Sequence, residues 1–222
     1  MIKKRPANTR GVIDEKGSIL SHRTFHFQAY FNFDYMNFSS LETINDDRVL
    51  PGYHVGRHKH TNREIFGYVV DGPCYHQDDT QTIEIPSGAV QRMSAGSGMF
   101  HSEGNASDHP VRYLQLWIRS DEKDATPNYS WHQFTREDKL NKFCDITAYL
   151  PIRADARLLA GIFTEPYIHI LSPSRRYYLY VVTGTGTVNN DVFIEGDGYA
   201  FTAESMLEII STDSEILLFD LR

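Results

Sequence analysis

The chain has 222 residues, room for one large domain or two small ones. Hydrophobic residues make up 41% and charged residues 23%, an ordinary globular balance that excludes wholesale disorder. The formal net charge of -7 argues against a general nucleic-acid binder, because phosphate contacts need a basic footprint. The N-terminal Met1-Ile-Lys-Lys-Arg-Pro6 lacks the apolar core of a signal peptide. No stretch approaches the ~18 apolar residues of a membrane span. Cys74 and Cys144 form no CxxC pair and are read as free thiols in a reducing compartment. A cytoplasmic protein without membrane contact is expected.

Short alternating runs come next along the chain: Glu64-Ile-Phe-Gly-Tyr-Val-Val70, Val111 to Ile118, Tyr177 to Val182 and Glu215 to Asp220. Gly, Asp, Asn and Ser clusters separate them, as in antiparallel strands joined by tight turns. The 13% aromatic content also favours strands. Tyr68-Val-Val-Asp-Gly72 reappears as Tyr180-Val-Val-Thr-Gly184, about half the chain later. Each copy is followed by turn residues, an apolar pair and a second glycine, Gly88 or Gly198. Two β-units built alike would give this pattern. The charged stretch Arg119 to Pro127 suits a linker. Helices are scarce; Thr135 to Leu140 is the best candidate, with Thr135 as N-cap and Asp138 at the capping-box position. The boundary is placed near residue 135, giving units 1–135 and 136–222.

Nine of the ten His lie at or before position 132. In His54-Val-Gly-Arg-His58-Lys-His60, strand alternation puts residues 54, 58 and 60 on one face. His101 and Glu103 repeat the two-residue spacing. Three imidazoles and a carboxylate suit a divalent first-row metal, Fe(II), Mn, Ni, Cu or Zn, rather than Ca. A solitary His-x-His is more often a surface feature; two such pairs in one β-unit shift that balance. The second unit is an internal control. Matching the repeat carries His58 and His60 to Ile170 and Ser172, and His101 and Glu103 to Ser211 and Asp213, of which only Asp213 can ligate. The other histidines read as ordinary. His76, in Tyr75-His-Gln-Asp-Asp79, reads as part of a solvated hairpin.

These residues resemble the cupin superfamily and, more closely, the pirin family. Gly52, His58, His60 and Glu64 match the first cupin motif, and His101 and Asn105 the second. Thr24 to Phe31, Ile44-Asn-Asp-Asp-Arg-Val49, Met93 to Glu103 and Leu114-Gln-Leu-Trp117 resemble pirin segments. The resemblance is strong over roughly residues 20–130. It implies an all-β bicupin: two tandem cupin-type barrels (double-stranded β-helix, or jelly roll) with few short helices. The first barrel would hold one metal, commonly iron, on His58, His60, His101 and Glu103; the second would hold none. Glu64, a ligand position in general cupins, then reads as structural or as a partner to a ligating imidazole. Lys59 stands where the family has Pro, which leaves that strand less stiff. His54 reads as a rim histidine on the ligand face.

The resemblance also implies a function. Several bacterial pirins open flavonols such as quercetin with O₂, so a metal-dependent dioxygenase is expected, with Glu103 as catalytic base. Its partners would be a small aromatic substrate and O₂, with no direct nucleic-acid contact, and the chain would be a monomer. The alternative is a pirin-type transcriptional co-regulator, or a redox- or metabolite-sensing cupin, acting through a protein partner.

Overall fold

The computed structural model describes residues 1–222. It consists of two β-barrels, each made of a large and a small antiparallel sheet. The first barrel's large sheet runs in the order Asn128–Gln133, Ala89–Ser94, Arg63–Asp71, Val111–Arg119, Leu41–Val49, Ile19–Arg23, Gly11–Glu15. Its small sheet runs His54–His60, Met99–Gly104, Cys74–Asp78, Thr82–Ile85. In the second barrel the large sheet runs Ile2–Arg5, Gly198–Thr202, Arg176–Thr183, Ser214–Leu221, Ala156–Phe163, Cys144–Asp145. Its small sheet runs Tyr167–Ile170, Met206–Ser211, Thr185–Val188, Asp191–Ile194.

The repeat seen in the sequence is therefore a repeat of topology. Arg63–Asp71 and Arg176–Thr183, which carry the two Tyr-Val-Val copies, sit at equivalent places in the two large sheets. The two small sheets have matching strand orders as well. The candidate helix forms as Arg136–Lys139, closed by the expected capping box between Thr135 and Asp138. Ile146–Tyr149 is equally short.

The boundary near residue 135 falls between Asn128–Gln133, in the first barrel, and Cys144–Asp145, in the second. The first strand, Ile2–Arg5, leaves the barrel of its sequence neighbours. It pairs with Gly198–Thr202 and covers that edge of the second barrel's large sheet.

The barrels pack through their large sheets. Alternation sends Phe66, Tyr68, Leu114 and Leu116 outward from the first barrel, where they meet Tyr178, Tyr180, Leu217 and Phe219 from the second in one buried cluster. The opposite faces line the barrel interiors. In the second barrel that interior is a solid core containing Phe163, Val188, Phe193, Phe201, Leu207 and Ile209. Asp213, the one ligand-capable residue at the matched positions, is exposed and paired with Arg136 at 2.9 Å. In the first barrel the inner face turns polar toward one end, and the candidate site lies there.

Candidate metal centre

His58 and His60 come from His54–His60, and His101 and Glu103 from the neighbouring strand Met99–Gly104. His101 pairs with His58, and Met99 with His60. The two-residue spacing thus places three imidazoles on one inward face. Their ligand nitrogens lie within 4.8 Å of one another, a set that can hold a metal ion. Ring centroids are 4.5 Å apart for His58 and His101, 5.0 Å for His60 and His101, and 4.7 Å for His58 and His60.

The neighbours favour the ligand form of each ring. His58 Nδ1 donates to the Gly56 carbonyl at 2.8 Å, which leaves Nε2 as the free lone pair. Burial, with help from His58 and Arg63, lowers the His60 pKa to about 4. Burial, with His58 and His60, lowers that of His101 as well. Both rings are therefore neutral near pH 7. His101 is 3% exposed, and neither of its ring nitrogens has a hydrogen-bond partner. A buried imidazole with two idle nitrogens fits a transition metal and is costly without one.

Glu103 is buried on the same face, where its Oε1 accepts from Gln115 Nε2 at 2.8 Å. Burial, then the Asp47 carboxylate, pushes its pKa up to about 8, against a smaller opposing effect of Arg23. A divalent cation nearby would reverse that shift and favour the carboxylate.

Two expectations are corrected. His54 does not share the ligand face. Glu103 pairs with Val55 while His101 pairs with His58, so three steps on one strand match two on the other. This β-bulge at Gly56-Arg57 inverts the alternation. Val55 turns into the cleft, and His54 is exposed with its ring edge-on to Tyr75 at 4.9 Å. His76 is not solvated. It is 1% exposed, stacks on Tyr129 at 4.3 Å and lies 5.5 Å from the His101 ring. Its Nε2 contacts Asp78 Oδ2 at 3.3 Å. His76 and Asp78 carry the same two-residue spacing as His101 and Glu103, which was the signal available in the sequence.

Glu64 is buried but shares the outward face of its strand with Phe66 and Tyr68. There it accepts from the Ser94 hydroxyl. Its part is structural, and no ligating imidazole touches it. Lys59 is exposed, its ammonium 5.8 Å from the Phe100 ring. Cys74 and Cys144 are free thiols.

The site opens to a cleft of about 260 Å³, bordered by His58, His60, Glu103, Trp117, Phe27 and Arg23. Trp117 stands edge-on to His60 at 4.8 Å and to Phe27 at 4.9 Å, giving the cleft an aromatic wall.

A bicupin with three inward imidazoles in its N-terminal barrel defines a class of small metal-binding β-proteins. Comparison with known proteins narrows it. Residues 6–118 match the Pirin family model, and residues 146–221 match the Quercetinase C-terminal cupin domain. The chain belongs to the pirin family. It is 36% identical to the quercetin 2,3-dioxygenase of Escherichia coli K12, covering 100% of this chain and 99% of the other. It is 31% identical to a pirin-like protein of Caulobacter vibrioides, covering 99% of both. Among solved structures it superposes on the bacterial pirin YhhW of Escherichia coli in complex with nickel(II), with a TM-score of 0.93. The identity there is 33%, over 100% of this chain and 99% of that one. No helix is long and apolar enough to cross a membrane.

Proposed function

We propose that the chain is a metal-dependent dioxygenase of cytoplasmic pirin type, active as a monomer, that opens flavonol-like substrates such as quercetin with O₂. The ligands are His58, His60, His101 and Glu103, and the resident metal is Fe(II), with nickel, manganese, copper or zinc as substitutes. The supporting observation is the gathering of three imidazoles around His101, whose buried ring nitrogens have no other partner. The names of the relatives supply the substrate class.

The metal would supply a Lewis acid that makes a substrate hydroxyl easier to ionise. The chain's own residues do the rest. Glu103, kept as the carboxylate when a divalent cation is bound, would receive the hydroxyl proton. Gln115 holds that carboxylate by one oxygen and limits its swing. Trp117 and Phe27 offer a flat apolar wall to an aromatic ring and keep bulk water from that side of the cleft.

The test is oxygen consumption with quercetin by protein loaded in turn with Fe(II), Ni(II), Mn(II) and Cu(II). Turnover that disappears in His58→Ala supports the assignment. Stoichiometric metal without turnover for any of these ions overturns the enzyme reading and favours a sensor or co-regulator.

A further inference from the structure

A second pocket lies at the seam between the barrels and shares no lining residue with the metal cleft. Its volume is about 220 Å³. One wall comes from the edge of the second barrel's large sheet, where Arg5, Lys3 and Tyr178 line it; the other comes from Phe25, Tyr35 and Phe38 of the first barrel.

Arg5 is the unusual member. It is 2% exposed, yet no carboxylate oxygen lies within 4.0 Å of it. Two other buried cations at the seam are neutralised: Arg112 by Asp46 at 2.8 Å, and Lys139 by Glu215 at 2.5 Å. Arg5 Nη2 donates to the Thr9 carbonyl and the Tyr30 hydroxyl, both at 2.9 Å. Its Nε and Nη1 have no partner, and neither does the hydroxyl of Tyr178, which is 3% exposed. The guanidinium lies 3.4 Å from the centroid of the Tyr35 ring, so the Tyr35 face supplies quadrupole attraction but no counter-charge.

A buried cation without a counter-ion is expensive, and so is a buried hydroxyl without an acceptor. One monoanionic oxygen group would serve both. The remaining wall is aromatic, with the Phe25 and Phe38 rings 5.1 and 5.7 Å from that of Tyr178. It suits a flat organic body better than inorganic phosphate. The exposed ammonium of Lys3 and the exposed carboxylate of Asp34 sit at the rim. We infer that this seam pocket binds a small aromatic carboxylate, with its anionic head on Arg5 and Tyr178 and its ring between Phe25, Phe38 and Tyr35. It is a second ligand site, outside the metal centre, and it bridges the two barrels.

The experiment is an NMR titration of the full, metal-loaded chain with benzoate, using benzamide as the neutral isostere. Saturable shifts at Phe25 and Ala200 are expected, unchanged after the metal is stripped, with benzamide at least about ten-fold weaker. Arg5→Met should weaken benzoate about ten- to hundred-fold, as loss of a charge-assisted hydrogen bond does. Should that variant fail to fold, Tyr178→Phe removes only the hydroxyl and should weaken benzoate several-fold while leaving benzamide unchanged. No saturable shift at these residues, shifts that require the metal, or equal affinity for benzoate and benzamide would each overturn the inference.

Discussion

Asp46 is the most exacting place to perturb the seam. The side chain is 2% exposed. It accepts from Arg112 Nε and Nη2, each at 2.8 Å, from the Tyr180 hydroxyl at 3.1 Å and from Arg10 Nη1 at 3.5 Å. Arg112 also donates to the Val182 carbonyl at 2.9 Å, so the group ties residues of both barrels together. Asp46→Ala leaves the Arg112 guanidinium buried with only the half-exposed Glu195, 3.3 Å away, as a counter-charge. Breaking a buried pair by removing one partner costs about 3–5 kcal/mol. For a chain of this size that corresponds to a fall of about 6–20 °C in Tm. The double variant Asp46→Leu/Arg112→Met should recover most of the loss, because it removes the stranded charge. Thermal unfolding followed by circular dichroism and tryptophan fluorescence reads both effects. A loss below about 1 kcal/mol for Asp46→Ala would refute the claim that this cluster carries its charge in a dry seam. A pH dependence goes with it. Burial alone would raise the Asp46 pKa, but the Arg112 hydrogen bonds outweigh it and hold the value below the ordinary 3.8. The contribution is then complete above pH 3.8 and lost as the pH falls through the lower folded value. Asp46→Asn should flatten that acid limb of the stability profile.

Three further outcomes are expected. His101→Ala should abolish stoichiometric metal by elemental analysis while the chain remains folded, since the ring nitrogens make no other bond. Saturating metal at about 100 times its Kd should stabilise the wild type by about 2.7 kcal/mol and leave His101→Ala unmoved in the same thermal scan. Phe66→Ala, in the cluster shared by both barrels, should cost about 3–5 kcal/mol in urea unfolding, with both halves lost in a single transition. Two separate transitions would contradict a shared core.

Much of the plan was legible because a strand has a period of two. Alternation in Glu64 to Val70 and in Val111 to Ile118 marked the strands, and the repeated Tyr-Val-Val placed two of them at equivalent positions. The same period gave His58, His60, His101 and Glu103 one face, while the motifs of a known family gave them a purpose. The misreadings have the same physical origin. One extra residue at Gly56-Arg57 inverts the period, so His54 could not be placed without knowing the partner strand's register. His76 looked solvated because its segment is polar. Its burial comes from Tyr129, more than fifty residues away, which stacks on the ring from the edge strand Asn128–Gln133 of the opposite sheet. Arg5 carried no signal either, since a basic residue in a Lys-Lys-Arg run reads as solvent-facing. It is buried only because strand Ile2–Arg5 pairs with the far end of the chain.

The contrast between the barrels shows what converts this architecture into a site. Their small sheets, and the inner strands of their large sheets, have matching strand orders. In the second barrel, apolar side chains such as Phe193, Phe201, Leu207 and Ile209 fill the interior at close packing. In the first, the equivalent space is ringed by His58, His60, His76, His101 and Glu103, with Asn45, Gln91 and Gln115 rising from the large sheet. Polar groups there forgo part of the burial energy that the second barrel gains, and several of them, including both side-chain atoms of Asn45, have no partner within the chain. The first barrel keeps a smaller apolar core of its own, with Val49, Val69, Ile85 and Tyr113, and draws further support from elsewhere. The seam supplies it: the cluster of Phe66, Tyr68 and Leu116 against Tyr180 and Phe219 lies on the back of the very sheet whose front carries Gln115 and Trp117. The second barrel, with its apolar interior, can thus act as the platform that helps hold the chemically equipped first barrel in shape.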